Sequence, residues 1–367
     1  MTATNASNQS DSRRQIHVLL PGASRHPVGG YKVVYQYANV LAERGEKVTL
    51  WHTTAFFAAS DPFPPRVFAK SSLRRLLMLR DGSRIAPWFE VDPRIDLRLT
   101  ALRPRPRLTR HDLVVSTAIE TTPWANRLAF RAHAKSLAFV QHFEDWAAGE
   151  AFVLRNLGAA DARIVIAPWL QEKLDAAGID SVMLPNAMDV HSFPTGPPLD
   201  DRESMVLSLM SPIAIKRPDL VIAVFEHLRE RHPHWRFSTF GTAGRPQALP
   251  EFVEHWQDPT PQALRDLYQA AAVYLCVSDA EGWHLPPAEA TLSGCAVVST
   301  DIGGVRASMG EDALYAPPGD AIGLSLAVER AMRERTEANA RMRSARDRLA
   351  STSIEANVQH LLEIAFG

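Results

Sequence analysis

One pattern constrains this 367-residue chain more than any other: short apolar runs alternate with helical stretches, in two separate blocks. A continuous apolar run of four to six residues between glycines and prolines suits a strand buried on both faces. Apolar residues three and four apart suit a helix with one buried face. Strands that alternate with helices form parallel sheets, because a parallel pair needs a long crossover. In the first block, Ile16, His17, Val18, Leu19 and Leu20 read as a strand. Loop signals follow, Pro21-Gly22 and then Pro27-Val28-Gly29-Gly30. Tyr31, Val34, Tyr35, Ala38, Leu41 and Ala42 then set a helix that Gly45 stops, and 48–51 is the next strand. This is a right-handed βαβ unit. Further strands are expected over 112–116, 136–140, 163–167 and 181–184, with a helix over 168–177.

The stretch from Pro185 to Pro198 is dense in breakers and reads as a linker. After it the alternation restarts, with strands over 205–209, 236–240, 272–277 and 296–300. Helices are expected over 218–231, 262–271 and 287–292, and 321–366 is almost wholly helical. The expected organisation is a disordered tail over 1–14, a Rossmann-like domain over 15–185 and a linker over 186–204. A second Rossmann-like domain spans 205–350, and a last helix over 351–367 is expected to cross back to the first domain. Ligands of open parallel sheets bind beyond the carboxyl ends of the strands, so two facing copies predict an interdomain cleft.

Composition narrows the function. Lys+Arg (40) and Asp+Glu (41) nearly cancel, so no global field points to nucleic acid. Cys276 and Cys295 lie in apolar runs outside any metal-ligand spacing, and no metal site is expected. No apolar run follows Arg13-Arg14 as a signal peptide requires, and none is long enough to span a bilayer, so a cytoplasmic location is expected. From Pro64 to Arg110 there are twelve Arg/Lys against four Asp/Glu. Within it, 70–80 has the make-up of a basic amphipathic helix, which would suit either peripheral contact with anionic lipid or an ordinary solvated face.

The chemistry is written in 278–290, Ser-Asp-Ala-Glu-Gly-Trp-His-Leu-Pro-Pro-Ala-Glu-Ala. A strand ends, a loop follows, and a proline-led helix begins. The backbone N–H groups of Trp283, His284 and Leu285 would lie near a helix N-terminus, which suits an anion or sugar hydroxyls. Glu289 is expected in the helix's first turn, where it would serve equally well as a complement to the helix dipole. Residue types alone leave both readings open.

This segment resembles the E-x7-E signature of retaining family 4 glycosyltransferases, S-x-x-E-G-F-G-L-P-x-x-E-A, with Trp283 and His284 in place of Phe and Gly. Ala296 to Gly304 and Tyr315 to Asp320 resemble the family's later motifs. Pro185-Asn186-Ala187-Met188-Asp189 with Phe193-Pro194 is similar to its hinge, and Gly29-Gly30 to its glycine-rich loop. The likeness runs in order from Val18 to about Met332. It implies a GT-B fold and transfer of a sugar from a nucleotide diphosphate sugar, with anomeric configuration retained and the donor as co-substrate in place of any cofactor. It also implies roles. Glu281 would steady the developing oxocarbenium, Glu289 would hold the ribose hydroxyls and Lys216 the diphosphate. Gly29 and Gly30 would let backbone approach phosphate or acceptor, and His142 aligns with a cleft histidine of many relatives.

One departure stands out. The family places an arginine five residues before the lysine, and here that position is Ser211. Arg217 is the nearest replacement cation. A narrower similarity, in 29–39, 116–121 and 140–146, is to bacterial rhamnosyltransferases of surface polysaccharides. It implies a rhamnosyl or mannosyl donor and a saccharide or lipid-linked acceptor. The competing readings are a sugar-nucleotide epimerase or hydrolase on the same frame, and a non-catalytic nucleotide-sugar binder.

Overall fold

The computed structural model describes residues 14–53 and 85–367. The tail over 1–13 and the basic segment over 70–80 lie outside the described residues. Two all-parallel sheets carry the architecture. The first takes β1 (Gln15–Leu20), β2 (Lys47–Thr53), β3 (Asp96–Thr100), β4 (Leu113–Ser116), β5 (Lys135–Val140), β6 (Ala162–Val165) and β7 (Val182–Met183), in the order β3-β2-β1-β4-β5-β6-β7. The second takes β8 (Met205–Leu209), β9 (Arg236–Gly241), β10 (Val253–Gln257), β11 (Val273–Cys276), β12 (Ala296–Thr300) and β13 (Leu314–Ala316), in the order β10-β9-β8-β11-β12-β13. The order reverses beside β1 in one sheet and beside β8 in the other, which opens a crevice at each carboxyl edge.

The central strands are the apolar runs of the sequence, and they are buried for that reason: Leu113 to Ser116 and Val273 to Cys276 are buried throughout. The three strands that the runs do not signal, β3, β10 and β13, all lie at sheet edges. β3 reads Asp-Leu-Arg-Leu-Thr and has no fully buried residue. An edge strand needs no continuous apolar run, because one side of it has no neighbouring strand. The long helical tail is three helices, Ala321–Arg333, Arg335–Ala350 and Ile354–Phe366. The break after Arg333 carries neither Gly nor Pro, whereas Ser353 caps the last helix by accepting from the Ala356 N–H at 3.1 Å.

That last helix lies against the first domain. Asn357 donates to Tyr37 Oη at 2.9 Å and to the Pro185 carbonyl at 2.7 Å. Arg44 donates to the Glu355 carbonyl at 2.9 Å, and the Arg14 guanidinium sits 4.3 Å over the Phe366 ring. The helix before it, Arg335–Ala350, packs on the second domain, against the helix Leu285–Leu292 and β12. The chain therefore passes between domains at 186–204 and again at 351–353. Among the described residues no helix is long and apolar enough to cross a membrane.

Candidate active site in the cleft

The segment over 278–290 leaves β11 and enters the helix Leu285–Leu292, at the carboxyl edge of the second sheet. Two prolines fit its first turn, where no amide N–H is needed for the helix ladder. The helix begins two residues before the expected start at 287, so Glu289 falls in its second turn. The dipole effect fades within one turn, and a buried carboxylate there needs another partner.

Two glycines press this loop into place. A Cβ on Gly282 would stand 1.9 Å from the Gln141 carbonyl oxygen of the first domain. A Cβ on Gly304 would stand 2.4 Å from the carbonyl oxygen of Glu281. Neither position admits a side chain, because both abut backbone. Trp169, from the first domain, donates its indole N–H to the Gly282 carbonyl at 3.0 Å. The loop is thus gripped from both sides of the cleft.

Glu281 is buried and held through one oxygen. Lys216 Nζ donates to Oε1 at 2.5 Å, and His284 Nδ1 lies 2.5 Å from the same atom. Burial alone would raise this carboxyl's pKa, but attraction to His284 and then Lys216 outweighs it and holds Glu281 well below the usual carboxylate range. His284 has a φ of +63°, in the region that favours glycine, and it sits where the family pattern has Gly. For a side chain as large as imidazole such backbone costs about 1–3 kcal/mol.

Glu289 draws its partners from both domains. Lys32 Nζ, in the first domain, donates to Oε1 at 2.7 Å, and Tyr268 Oη donates to Oε2 at 3.2 Å. Lys32 also stands 5.2 Å over the ring of Phe193, in the linker. Gly29 and Gly30 open the helix Gly29–Glu43 on the facing wall. A Cβ on Gly29 would touch Leu285 Cδ1 at 3.4 Å, and one on Gly30 would crowd Gln141 Oε1 at 3.1 Å. The glycine-rich loop and the start of the 285–292 helix therefore meet across the cleft.

His142 follows β5 and stands edge-on to two tryptophans, with ring centroids 4.7 Å from Trp146 and 5.4 Å from Trp169. Burial lowers its pKa, and the Glu281 carboxylate opposes that only partly. Trp283 is buried. Among the described residues, His142 Nδ1, Trp283 Nε1 and both ring nitrogens of His284 have no hydrogen-bond partner. Buried polar atoms without a partner are uncommon in a protein interior.

Arg217 is placed differently. Its φ of +49° ends the 3-10 turn Ala214–Lys216 and begins the helix Pro218–Arg231. Its guanidinium is engaged by Asp219 at 2.8 Å and Asp279 at 3.0 Å, which raise its pKa. The structure brings it to neither glutamate of the E-x7-E pair. Sequence reasoning does not single out Lys32, Tyr268, Trp169 or Gln141. Lys32 follows Gly29-Gly30 by two residues, and that proximity is the signal it offers. Among the described residues no three His, Cys, Asp or Glu side chains converge to hold a metal ion.

Residues 204–334 match the family model for glycosyl transferases group 1. That span holds Lys216, Glu281, His284 and Glu289. No curated protein matches the chain in sequence. Among solved structures, HepE of Anabaena is 14% identical over 95% of this chain and 98% of its own, with a TM-score of 0.69. Sucrose-phosphate synthase of Thermosynechococcus elongatus is 16% identical over 96% and 98%, with a TM-score of 0.67. A point mutant of S. aureus TarM is 11% identical over 96% and 100%, with a TM-score of 0.69. The architecture they share with this chain is the GT-B fold.

Proposed function

We propose that this protein transfers a glycosyl group from a nucleotide diphosphate sugar to an acceptor hydroxyl, with retention of anomeric configuration and without a metal ion. The observation that carries the reading is the Lys216–Glu281 pair at the cleft, a buried carboxylate with an ammonium at hydrogen-bonding distance. As the bond from anomeric carbon to phosphate oxygen breaks, its electrons leave with the diphosphate and positive charge develops on the sugar. Glu281 then faces the growing positive charge, and Lys216 serves the growing negative one. The acceptor oxygen bonds to the anomeric carbon on the face that the phosphate leaves, and its proton passes to the departing phosphate oxygen. Glu289, beside Tyr268, takes the ribose hydroxyls, and the wall of Gly29 and Gly30 approaches the phosphates.

Neighbouring structures favour this reading: HepE has been solved with UDP and glucose and with UDP-glucose, and TarM with UDP and alpha-GlcNAc-glycerol. We assign the acceptor to the saccharides or lipid-linked saccharides of bacterial polysaccharide assembly, handled at the cytoplasmic face of the membrane. Resemblance in 29–39 and 140–146 favours rhamnosyl or mannosyl donors. Thermal-shift measurements against UDP, GDP and dTDP sugars are the test. A ligand at 100 times its Kd stabilises by about 2.7 kcal/mol, which melting detects readily. Transfer assays with the stabilising donor follow, with and without EDTA. No stabilisation by any nucleotide sugar would sink the reading, and activity lost in EDTA and restored by Mg²⁺ would sink its metal-free form.

A further inference from the structure

We propose that His284 is a positioning residue for Glu281, fixing the plane of its carboxylate so that Oε2 faces the reacting sugar. The inference rests on the glycosyl-transfer reading and assigns work to a side chain that the family pattern lacks.

Three observations carry it. The imidazole side chain is only 1% exposed, and neither ring nitrogen has a hydrogen-bond partner among the described residues. Its backbone holds a φ of +63° at a position where glycine would rest without strain. Both features disfavour histidine here, and sites that retain such residues tend to use them. Third, Nδ1 lies 2.5 Å from Glu281 Oε1, the atom that Lys216 Nζ also approaches at 2.5 Å. Two lone pairs at that separation would repel, so Nδ1 carries the proton. The attraction at this contact is that of a donor dipole or charge on a carboxylate.

Geometry then explains the benefit. The last torsion of glutamate is broad and nearly two-fold, so a single contact does not set the carboxylate plane. Lysine adds little constraint, being a point charge on a flexible stem. A buried planar ring against the same oxygen supplies the second direction. Oε1 is then committed to Lys216 and His284, and neither contact uses Oε2. Misorientation of a group that acts on developing charge lowers turnover rather than ground-state binding.

The experiment uses the full chain with His284→Gly and His284→Asn. Native turnover is measured first: its absence with every donor defeats the transfer reading, whereas the failures that follow defeat only this inference. His284→Gly should lower kcat by about 10-fold or more, leave donor KM within about threefold, and melt no lower than native. His284→Asn places an amide N–H near the site of Nδ1, and asparagine accepts positive φ best among larger residues. It should keep kcat within about threefold of native. Native kcat in His284→Gly would overturn the proposal. So would an equal fall in both variants, or a His284→Gly protein that melts well below native, since each would mark a packing role.

Discussion

The two ends of the 281–289 loop solve the same electrostatic problem in different ways. Glu281 and Glu289 are both buried carboxylates with an ammonium partner at hydrogen-bonding distance. Glu281 takes its lysine from its own domain, 65 positions away, so that ion pair does not depend on how the two domains meet. Glu289 takes Lys32 from the opposite domain, 257 positions away, so its ion pair exists only when the domains meet. A preorganised charge suits a chemical step, and a contact made on closure suits substrate capture. One loop thus carries both an intradomain ion pair and an interdomain one.

Exchange of each glutamate for glutamine breaks the comparison most directly. Glu281→Gln is expected to lower kcat by about 100-fold or more, because it removes the charge proposed to act in the transition state. Glu289→Gln should leave kcat within several fold and weaken donor binding by roughly 10- to 150-fold, equivalent to losing about 1.5–3 kcal/mol of charged hydrogen bonding. Steady-state kinetics with varied donor, on variants of unchanged melting, measure both. The reverse pattern would exchange the two roles.

A smaller effect is expected at Lys32. Lys32→Met strands Glu289 with only Tyr268, and breaking this partly exposed pair should cost about 1–2 kcal/mol after solvent screening. Part of that loss loosens the closed arrangement, so small-angle scattering should report a larger radius of gyration for the donor-free protein. Lys216→Met removes a contact within one domain and should leave that radius unchanged. An equal change in both variants would erase the distinction between the two ends of the loop.

How much of this was legible in the residues follows from what each feature depends on. Strands at sheet centres are buried on both faces, and their apolar runs announce them. Edge strands such as Val253–Gln257 carry Glu254, His255 and Gln257 and look like loop. The E-x7-E pair was legible because its members share one loop and one short helix. Lys32 was not, since its partner lies in another domain and only the assembled cleft brings them together. Arg217 differs again: Asp219 lies two residues on in the sequence, whereas Asp279 becomes its neighbour only through the fold.

A third carboxyl sharpens the contrast with the least effect. Glu144 has no cation partner among the described residues; burial, with the nearby Glu120, pushes its pKa up to about 7 even though the Ile119 N–H donates to it at 2.5 Å. A raised carboxyl favours the fold below its ordinary value of 4.5, and that contribution is lost as pH rises through about 7. The residue is only half-buried, so the loss should be on the order of 1–2 kcal/mol. Glu144→Gln should therefore flatten the decline in melting temperature between about pH 4.5 and about pH 7.5 relative to native, by roughly the amount that this linkage supplies. Parallel declines in the two proteins would show that Glu144 ionises normally.

The helix Ile354–Phe366 has a mechanical consequence. Because the chain passes between the domains at two places, each domain is strapped to the other twice, at 186–204 and at 351–353. A body tethered at one point can swivel about any axis, whereas one tethered at two can turn freely only about the line that joins them. Any turning of one domain against the other is thereby limited largely to that line, like a book on its spine. Lys32 and Glu289 stand on facing pages of that book, so rotation about the spine is the motion that would part them.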